Sequence, residues 1–306
     1  MLFLTREPRL YSMRRFAMAC RAAGHGFRTL DILSADIVLH PEDPQLWSGG
    51  DPIKAADLDV VVPRVGTQVT EQGCALVAQF EAMRVPVVNG SEAILRARDK
   101  LRSLQLLAAT RIPIPRTAVI RTVEDLDEAI DQVGGLPCVL KLLKGTQGIG
   151  VMLAESREAL ESILQAFWSL GHTILLQEFI AESKGKDVRA FVVGDEVVGA
   201  MRRTARVGEF RSNIHRGGIG KPLALSSQDK ESVVRAAKVL GLEVAGVDYL
   251  ESKEGPKIIE VNASPGFQGL EQATGLDIAG AIVKHAAVVA GRQASGSPRS
   301  KPRKVA

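Results

Sequence analysis

A chain of 306 residues, 45% apolar and 24% charged, can bury two or three compact cores and has the composition of a globular protein. Its last sixteen residues hold five basic side chains (Arg292, Arg299, Lys301, Arg303 and Lys304) and no acid, which turns the +4 of the whole into −1 for the rest. A near-neutral body with 4% aromatic residues excludes a basic stacking surface for nucleic acid, and no stretch nears the ~20 apolar residues of a membrane span.

Met1–Leu4 reads as a strand, too short for the apolar region of a signal peptide. Cys20, Cys74 and Cys138 are odd in number and widely spaced, against a disulfide framework or a zinc site, so a reducing, cytoplasmic compartment is expected. Residues 1–90 alternate strands (1–5, 28–32, 60–63, 85–89) with helices (about 12–23 and 71–84), which predicts a parallel sheet wrapped by helices. Arg64–Gln68 falls at the carboxyl end of that sheet, where α/β ligand sites lie. A helix is expected over 99–109, a strand over 116–121, and a helix capped by Thr122 and closed by Gly134-Gly135. Strands 136–143 and 150–154 flank a glycine loop, and Ser156 caps a helix with Leu160, Ile163, Leu164 and Phe167 inward. Hairpins follow, 187–193 with 196–203 and 245–249 with 257–261, separated by a helix near 228–240. A last helix, 277–290, precedes a basic, Ser/Pro/Gly-rich tail expected to be disordered. That tail reads as solvated, with attraction to RNA or a ribosome surface as its functional alternative.

Chemistry concentrates in four places. Lys144–Gly150 is a glycine loop between strands, neither a Walker motif nor a dinucleotide fingerprint. Alone it would be a turn, but Lys141 beside it, a charge inside an apolar strand, makes phosphate binding the better reading. Lys100 follows Asp99 at a helix start, where a cation is disfavoured unless it serves an anion. In the first hairpin, a two-residue Gly194-Asp195 turn sets Asp187 opposite Arg202 and Arg189 opposite Ala200. Arg202, Arg203, Arg206, Arg211 and Arg216 form a cluster suited to carboxylates or phosphates. In the second, Asp248 opposes Glu260, with Asn262 on the face of Glu260. Opposed like charges call for a cation between them, and hard oxygen donors suit Mg²⁺. Without the other features, two solvated carboxylates on an exposed hairpin face would be an equally good reading.

Lys141, Gly145–Gly150, Gln177–Ile180, Asp187-Val188-Arg189, Arg211-Ser212-Asn213 and Asp248…Glu260-Val261-Asn262 resemble the ATP-grasp ligases. The segments Ala97–Ser103, Phe210–Gly218 and Val261–Gly266 are similar to the RimK-type α-L-glutamate ligases among them, over about residues 1–290. The resemblance implies an α/β (α+β) ATP-grasp fold. An N-terminal parallel α/β domain (1–95) would precede an ATP-grasp domain (96–290), whose two β-rich lobes (96–180 and 181–290) enclose ATP, with 291–306 as tail. Lys100, Lys141, Gly145, Gly148, Gly150, Glu178, Phe179, Asp187, Arg189, Arg211, Ser212 and Asn213 would contact the nucleotide. Asp248, Glu260 and Asn262 would hold two Mg²⁺ or Mn²⁺, and Arg202, Arg211 and Asn213 would act in catalysis. Partners would be L-glutamate and the C-terminus of a ribosomal protein as acidic acceptor, in a homo-oligomer (a tetramer). Rival readings are a ligase joining glutamate or another amino acid to a small molecule or carrier protein, and a nucleotide-binding regulator without catalysis. Asp248, Glu260, Asn262, Lys141 and Arg211 together argue against the regulator.

Overall fold

The computed structural model describes residues 1–143, 150–206 and 218–296. Two units divide the chain: Met1–Ser91 with the residues from Asp277 onward, and Glu92–Leu276. The first contains β1 (Leu2–Leu4), α1 (Tyr11–Ala22), β2 (Arg28–Leu30), β3 (Ala35–Val38), β4 (Gln45–Ser48), β5 (Asp51–Pro52), β6 (Val61–Pro63) and α2 (Thr70–Ala82). Its parallel sheet runs β2-β1-β6. All of β1 is buried, as a central parallel strand covered by helices must be. Met13, Phe16 and Cys20, at helical spacing, are the buried stripe of α1, with Phe16 stacked on Phe3 at 4.8 Å. The strand expected at 85–89 shrinks to one bridge, Val61 to Val87, because Pro86 has no N–H to extend a ladder. A small antiparallel sheet, β3-β4-β5, was not foreseen.

The second unit contains α3 (Ser91–Arg98), α4 (Lys100–Ala109), β7 (Thr117–Ala118), α5 (Leu126–Val133), β8 (Cys138–Leu142), β9 (Val151–Ala154), α6 (Arg157–Ser169) and β10 (Ile174–Glu178). Next come β11 (Lys186–Val193), β12 (Glu196–Thr204), β13 (Ile219–Pro222), α7 (Ser227–Val239), β14 (Val244–Ser252), β15 (Gly255–Asn262) and α8 (Gln268–Thr274). Antiparallel pairing builds two sheets, β7-β10-β8-β9 and β13-β12-β11-β14-β15. Helices α5 and α6 bury Leu126, Val133, Leu160 and Leu164 with Cys138, Leu140, Ile174 and Leu176 of the first sheet. Ser156 caps α6 by accepting from the N–H of Ala159, and α5 closes on Gly134 at φ +96°. Thr122 does not cap α5: its hydroxyl donates to Asp125, three residues on, and the helix starts after Asp125.

The last helix, α9 (Ile278–Gly296), belongs to the first unit and packs on α1. It runs six residues into the segment expected to be tail, and residues 297–306 lie outside the described set. All three cysteines are buried and free. Among the described residues no single helix is long and apolar enough to cross a membrane.

Candidate active site

The site grows from two hairpins of the five-stranded sheet, each closed by a two-residue turn and each carrying a one-residue bulge. In β11–β12 the turn pairs Val193 with Glu196 and Val192 with Val197. The register then slips, so that Phe191 meets Gly199 and Val198 is left over. The slip corrects the expected pairing: Asp187 stands opposite Arg203, and Arg202 opposite Val188. Side chains alternate across a strand, so the shift by one residue sends Arg202 to the other face, where Glu251 holds it at 2.8 and 2.6 Å. In β14–β15 a turn between Ser252 and Gly255 and a slip after Asp248 leave Ile259 extra and set Asp248 opposite Glu260.

An alternating row of charges results. Arg203 donates to both oxygens of Asp187, at 2.6 and 2.5 Å, and reaches Asp248 at 3.0 Å. Arg189, paired in register with Asp248, grips its oxygens at 2.7 and 2.6 Å. Burial alone would raise the pKa of Asp248, but Arg189 and Arg203 overcome it and hold the carboxyl below its ordinary range. Burial likewise disfavours the Arg203 cation, and Asp248 with Asp187 more than restores it. Glu260, across from Asp248, is exposed, with no hydrogen bond from the described residues.

Two lysines of the other sheet's neighbourhood complete the charge cluster. Lys141 sits on β8 opposite in phase to the buried Cys138 and Leu140, so its side chain leaves the apolar core. Burial pushes its ammonium down to about 8, against the pull of Glu260 and with the push of Lys100. Asp99 caps α4 through the Arg102 N–H, which makes Lys100 the first helical residue; its ammonium donates to the Leu142 carbonyl at 3.0 Å. Burial lowers the Lys100 pKa and Glu260 opposes the shift. Gly150 closes the strand end at φ +78°, where a Cβ would meet Leu142 at 2.6 Å, so only glycine fits. At the end of β10, the Glu178 carboxylate accepts from the Arg116 N–H at 3.0 Å and from Lys257 at 3.1 Å, and Phe179 is half-buried beside it. Burial raises the Glu178 pKa, and the Arg116 N–H and Lys257 outweigh it.

The donor set fits a hard cation. Asn262 spends its amide N–H on the Gly246 carbonyl at 3.4 Å, which leaves its oxygen on the face of Glu260. No group of three or more His, Cys, Asp or Glu gathers among the described residues, so a cation here would draw further ligands from a bound anion or water.

The RimK-like ATP-grasp domain profile matches residues 97–286, and the RimK PreATP-grasp domain profile matches residues 1–94. The chain belongs to the RimK family of ATP-grasp ligases. It is 49% identical over 282 residues, 92% of this chain and 93% of the relative, to a protein of Pseudomonas paraeruginosa named probable alpha-L-glutamate ligase. Its fold is similar to that of a RimK domain ATP-grasp protein from Sphaerobacter thermophilus (TM-score 0.69, 25% identity, 93% of this chain and 98% of that one). It is also similar to that of the ATP-grasp ligase PsnB complexed with minimal precursor, Mg and ADP (TM-score 0.75, 20% identity, 95% and 98%).

Membership in the RimK family makes the chain an ATP-dependent ligase. Of the residues singled out by sequence, Lys100, Lys141, Asp187, Arg189, Asp248, Glu260 and Asn262 gather in one charged cluster, and Glu178, Phe179 and Gly150 lie at strand ends of the four-stranded sheet. Arg202 does not join them. Gly145, Gly148, Arg211, Ser212 and Asn213 lie outside the described residues. Sequence reasoning missed Arg203 as the partner of Asp187 and Arg116 and Lys257 as partners of Glu178. Only the doubled arginine at 202–203 hinted at the first.

Proposed function

We propose that this ligase uses ATP and Mg²⁺, with Mn²⁺ able to substitute, to add L-glutamate to the C-terminal glutamate of a ribosomal small-subunit protein, extending it as α-linked poly-glutamate in the cytoplasm. The observation that carries the reading is the convergence of Lys100, Lys141, Arg189 and Arg203 on Asp187, Asp248 and Glu260, a cluster matched to a polyphosphate and its cation. The name shared by the half-identical relatives supports glutamate, and a PsnB complex holding precursor, Mg and ADP supports a polypeptide acceptor.

On this reading Lys100 and Lys141 bind phosphate, Glu178 and Phe179 flank adenine and ribose, and Asp187 meets the ribose. Arg211, Ser212 and Asn213 take phosphate and the reacting carboxylate. Asp248, Glu260 and Asn262 would hold the cations, which supply charge stabilisation on phosphoryl oxygens. The acceptor carboxylate attacks the γ-phosphorus; the bond to the bridging oxygen breaks and ADP leaves. The glutamate amine then adds to the acyl carbon, phosphate departs with the bonding electrons, and the amine's proton goes to solvent. On this reading the cations of the cluster, Lys100, Lys141, Arg189 and Arg203, would lower both barriers electrostatically.

Mass spectrometry of the protein incubated with ATP, Mg²⁺, glutamate and small-subunit ribosomal proteins tests the proposal. The expected product is one acceptor gaining whole glutamyl residues with matching ADP release. ADP release stimulated by a different amino acid overturns the glutamate assignment, and glutamylation of a small molecule alone overturns the acceptor.

A further inference from the structure

We propose that Arg203, with Arg189, makes metal occupancy conditional on the nucleotide: the two guanidinium groups neutralise Asp248, so the site accepts a divalent cation only together with a nucleoside triphosphate. This rests on the nucleotide reading above and goes beyond it by assigning Arg203 a role in what the site admits.

The β12 bulge at Val198 aims Arg203, not Arg202, into the site. Arg203 is 3% exposed and spans two acids at once, Asp187 by a paired fork and Asp248 by one further bond. Arg189 occupies both oxygens of Asp248 from the neighbouring strand. Each buried aspartate therefore has a guanidinium counterpart within the protein itself. Lys100 and Lys141 both act on Glu260, the remaining carboxylate. Among the described residues, four cations stand against three carboxylates.

A free divalent cation meets a cluster that is already net positive, and at the buried Asp187, Asp248 and Arg203 water screens little. A metal–triphosphate complex carries net negative charge and is drawn to the same cluster. Lysine could supply the charge of Arg203 but not the fork that joins Asp187 to Asp248. A purely structural ion-pair network predicts the opposite sign, because losing Arg203 would disorder Asp248 and weaken any cation bound there.

Mn²⁺ is titrated into the full-length protein without nucleotide, and free ion is counted by electron paramagnetic resonance. Wild type should bind Mn²⁺ weakly, and a non-hydrolysable ATP analogue should tighten binding by roughly tenfold or more. Arg203→Met should strengthen nucleotide-free Mn²⁺ binding by roughly tenfold, while Arg203→Lys, which keeps the charge, should match wild type. Should Arg203→Met fail to fold, Arg189→Gln, whose side chain is 18% exposed, should show the same gain. Tight Mn²⁺ binding by nucleotide-free wild type, or binding by the charge-removing variants no stronger than wild type, overturns the proposal. Calorimetry of the analogue with wild type in Mg²⁺ judges the nucleotide reading separately, since its failure would sink that reading whatever the Mn²⁺ titrations show.

Discussion

The two hairpins of the five-stranded sheet use the same device for opposite ends. Each has a tight turn and one extra residue, Val198 in β12 and Ile259 in β15. The first bulge brings a cation, Arg203, against Asp187, and both are buried. The second brings an anion, Glu260, against Asp248, and leaves Glu260 in solvent. One hairpin thus closes its electrostatics inside the protein, whereas the other presents a carboxylate pair whose outer member is exposed. Buried charge here is paired within the protein, and on the proposed function the exposed charge is the one that meets a ligand. The four-stranded sheet shows the alternative, an apolar core of Leu140, Leu176, Leu160 and Leu164 with Lys141 on the other face.

The sharpest way to break this comparison is to neutralise each acid of the second hairpin in turn. Both Asp248→Asn and Glu260→Gln should abolish ADP release with glutamate and acceptor. Their stabilities should part: Asp248→Asn leaves Arg189 and Arg203 short of a buried partner and should cost about 3–5 kcal/mol. Glu260→Gln, at an exposed side chain, should stay within about 0.5 kcal/mol of wild type. Urea unfolding midpoints measure both. Equal destabilisation would mean that Glu260 is as embedded as Asp248, and the contrast would fail.

The pairing of Asp248 with Glu260 was legible in the sequence, but the route to it was not: a turn centred near Glu254 was expected to suffice, and a tighter turn with a bulge at Ile259 does the work. The identical reasoning misassigned Arg202, because a single extra residue flips every side chain beyond it and no local pattern at Val197-Val198-Gly199 announces the slip. Local chemistry read well at Asp99, Ser156 and Gly134, though not at Thr122, whose hydroxyl turns to Asp125 instead of capping α5. Long-range partners did not read at all. Arg116 and Lys257 reach Glu178 across 62 and 79 residues, a relation that neither periodicity nor capping encodes. Strand 85–89 is cut short for a reason readable in sequence: Pro86 lacks the N–H donor that a ladder needs.

A smaller effect separates the lysine of the four-stranded sheet from the arginines of its neighbour. Burial lowers the Lys141 ammonium to about 8, so it loses its proton in an accessible range, whereas Arg203 stays charged throughout. Above about pH 8 the folded state holds fewer protons here than the unfolded chain, whose lysine titrates near 10.5. The cost of this buried charge is therefore present below pH 8 and relieved as pH rises toward 10.5. Nucleotide affinity runs the other way: if Lys141 serves phosphate, it should fall by roughly tenfold per pH unit above about 8. Calorimetry with an ATP analogue from neutral to alkaline pH should show that slope in wild type and lose it in Lys141→Arg. A flat wild-type profile would remove Lys141 from the phosphate site.

The smallest expected effect is the one that tests the bulge itself. Arg202 and Arg203 are neighbours in sequence, yet the slip at Val198 gives them opposite faces and opposite surroundings. Arg202 forms a bidentate pair with Glu251, both side chains about two-fifths exposed at 39% and 42%. Water screens such a pair and competes for both partners, so Arg202→Met should cost about 0.2–1 kcal/mol of stability. Nucleotide-free Mn²⁺ binding and the Michaelis constant for ATP should stay as in wild type, since Arg202 touches neither Asp187 nor Asp248. Steady-state kinetics beside urea unfolding would decide it. A loss of several kcal/mol, or a Mn²⁺ gain equal to that of Arg203→Met, would put Arg202 on the inner face after all and return the hairpin to the unbulged register.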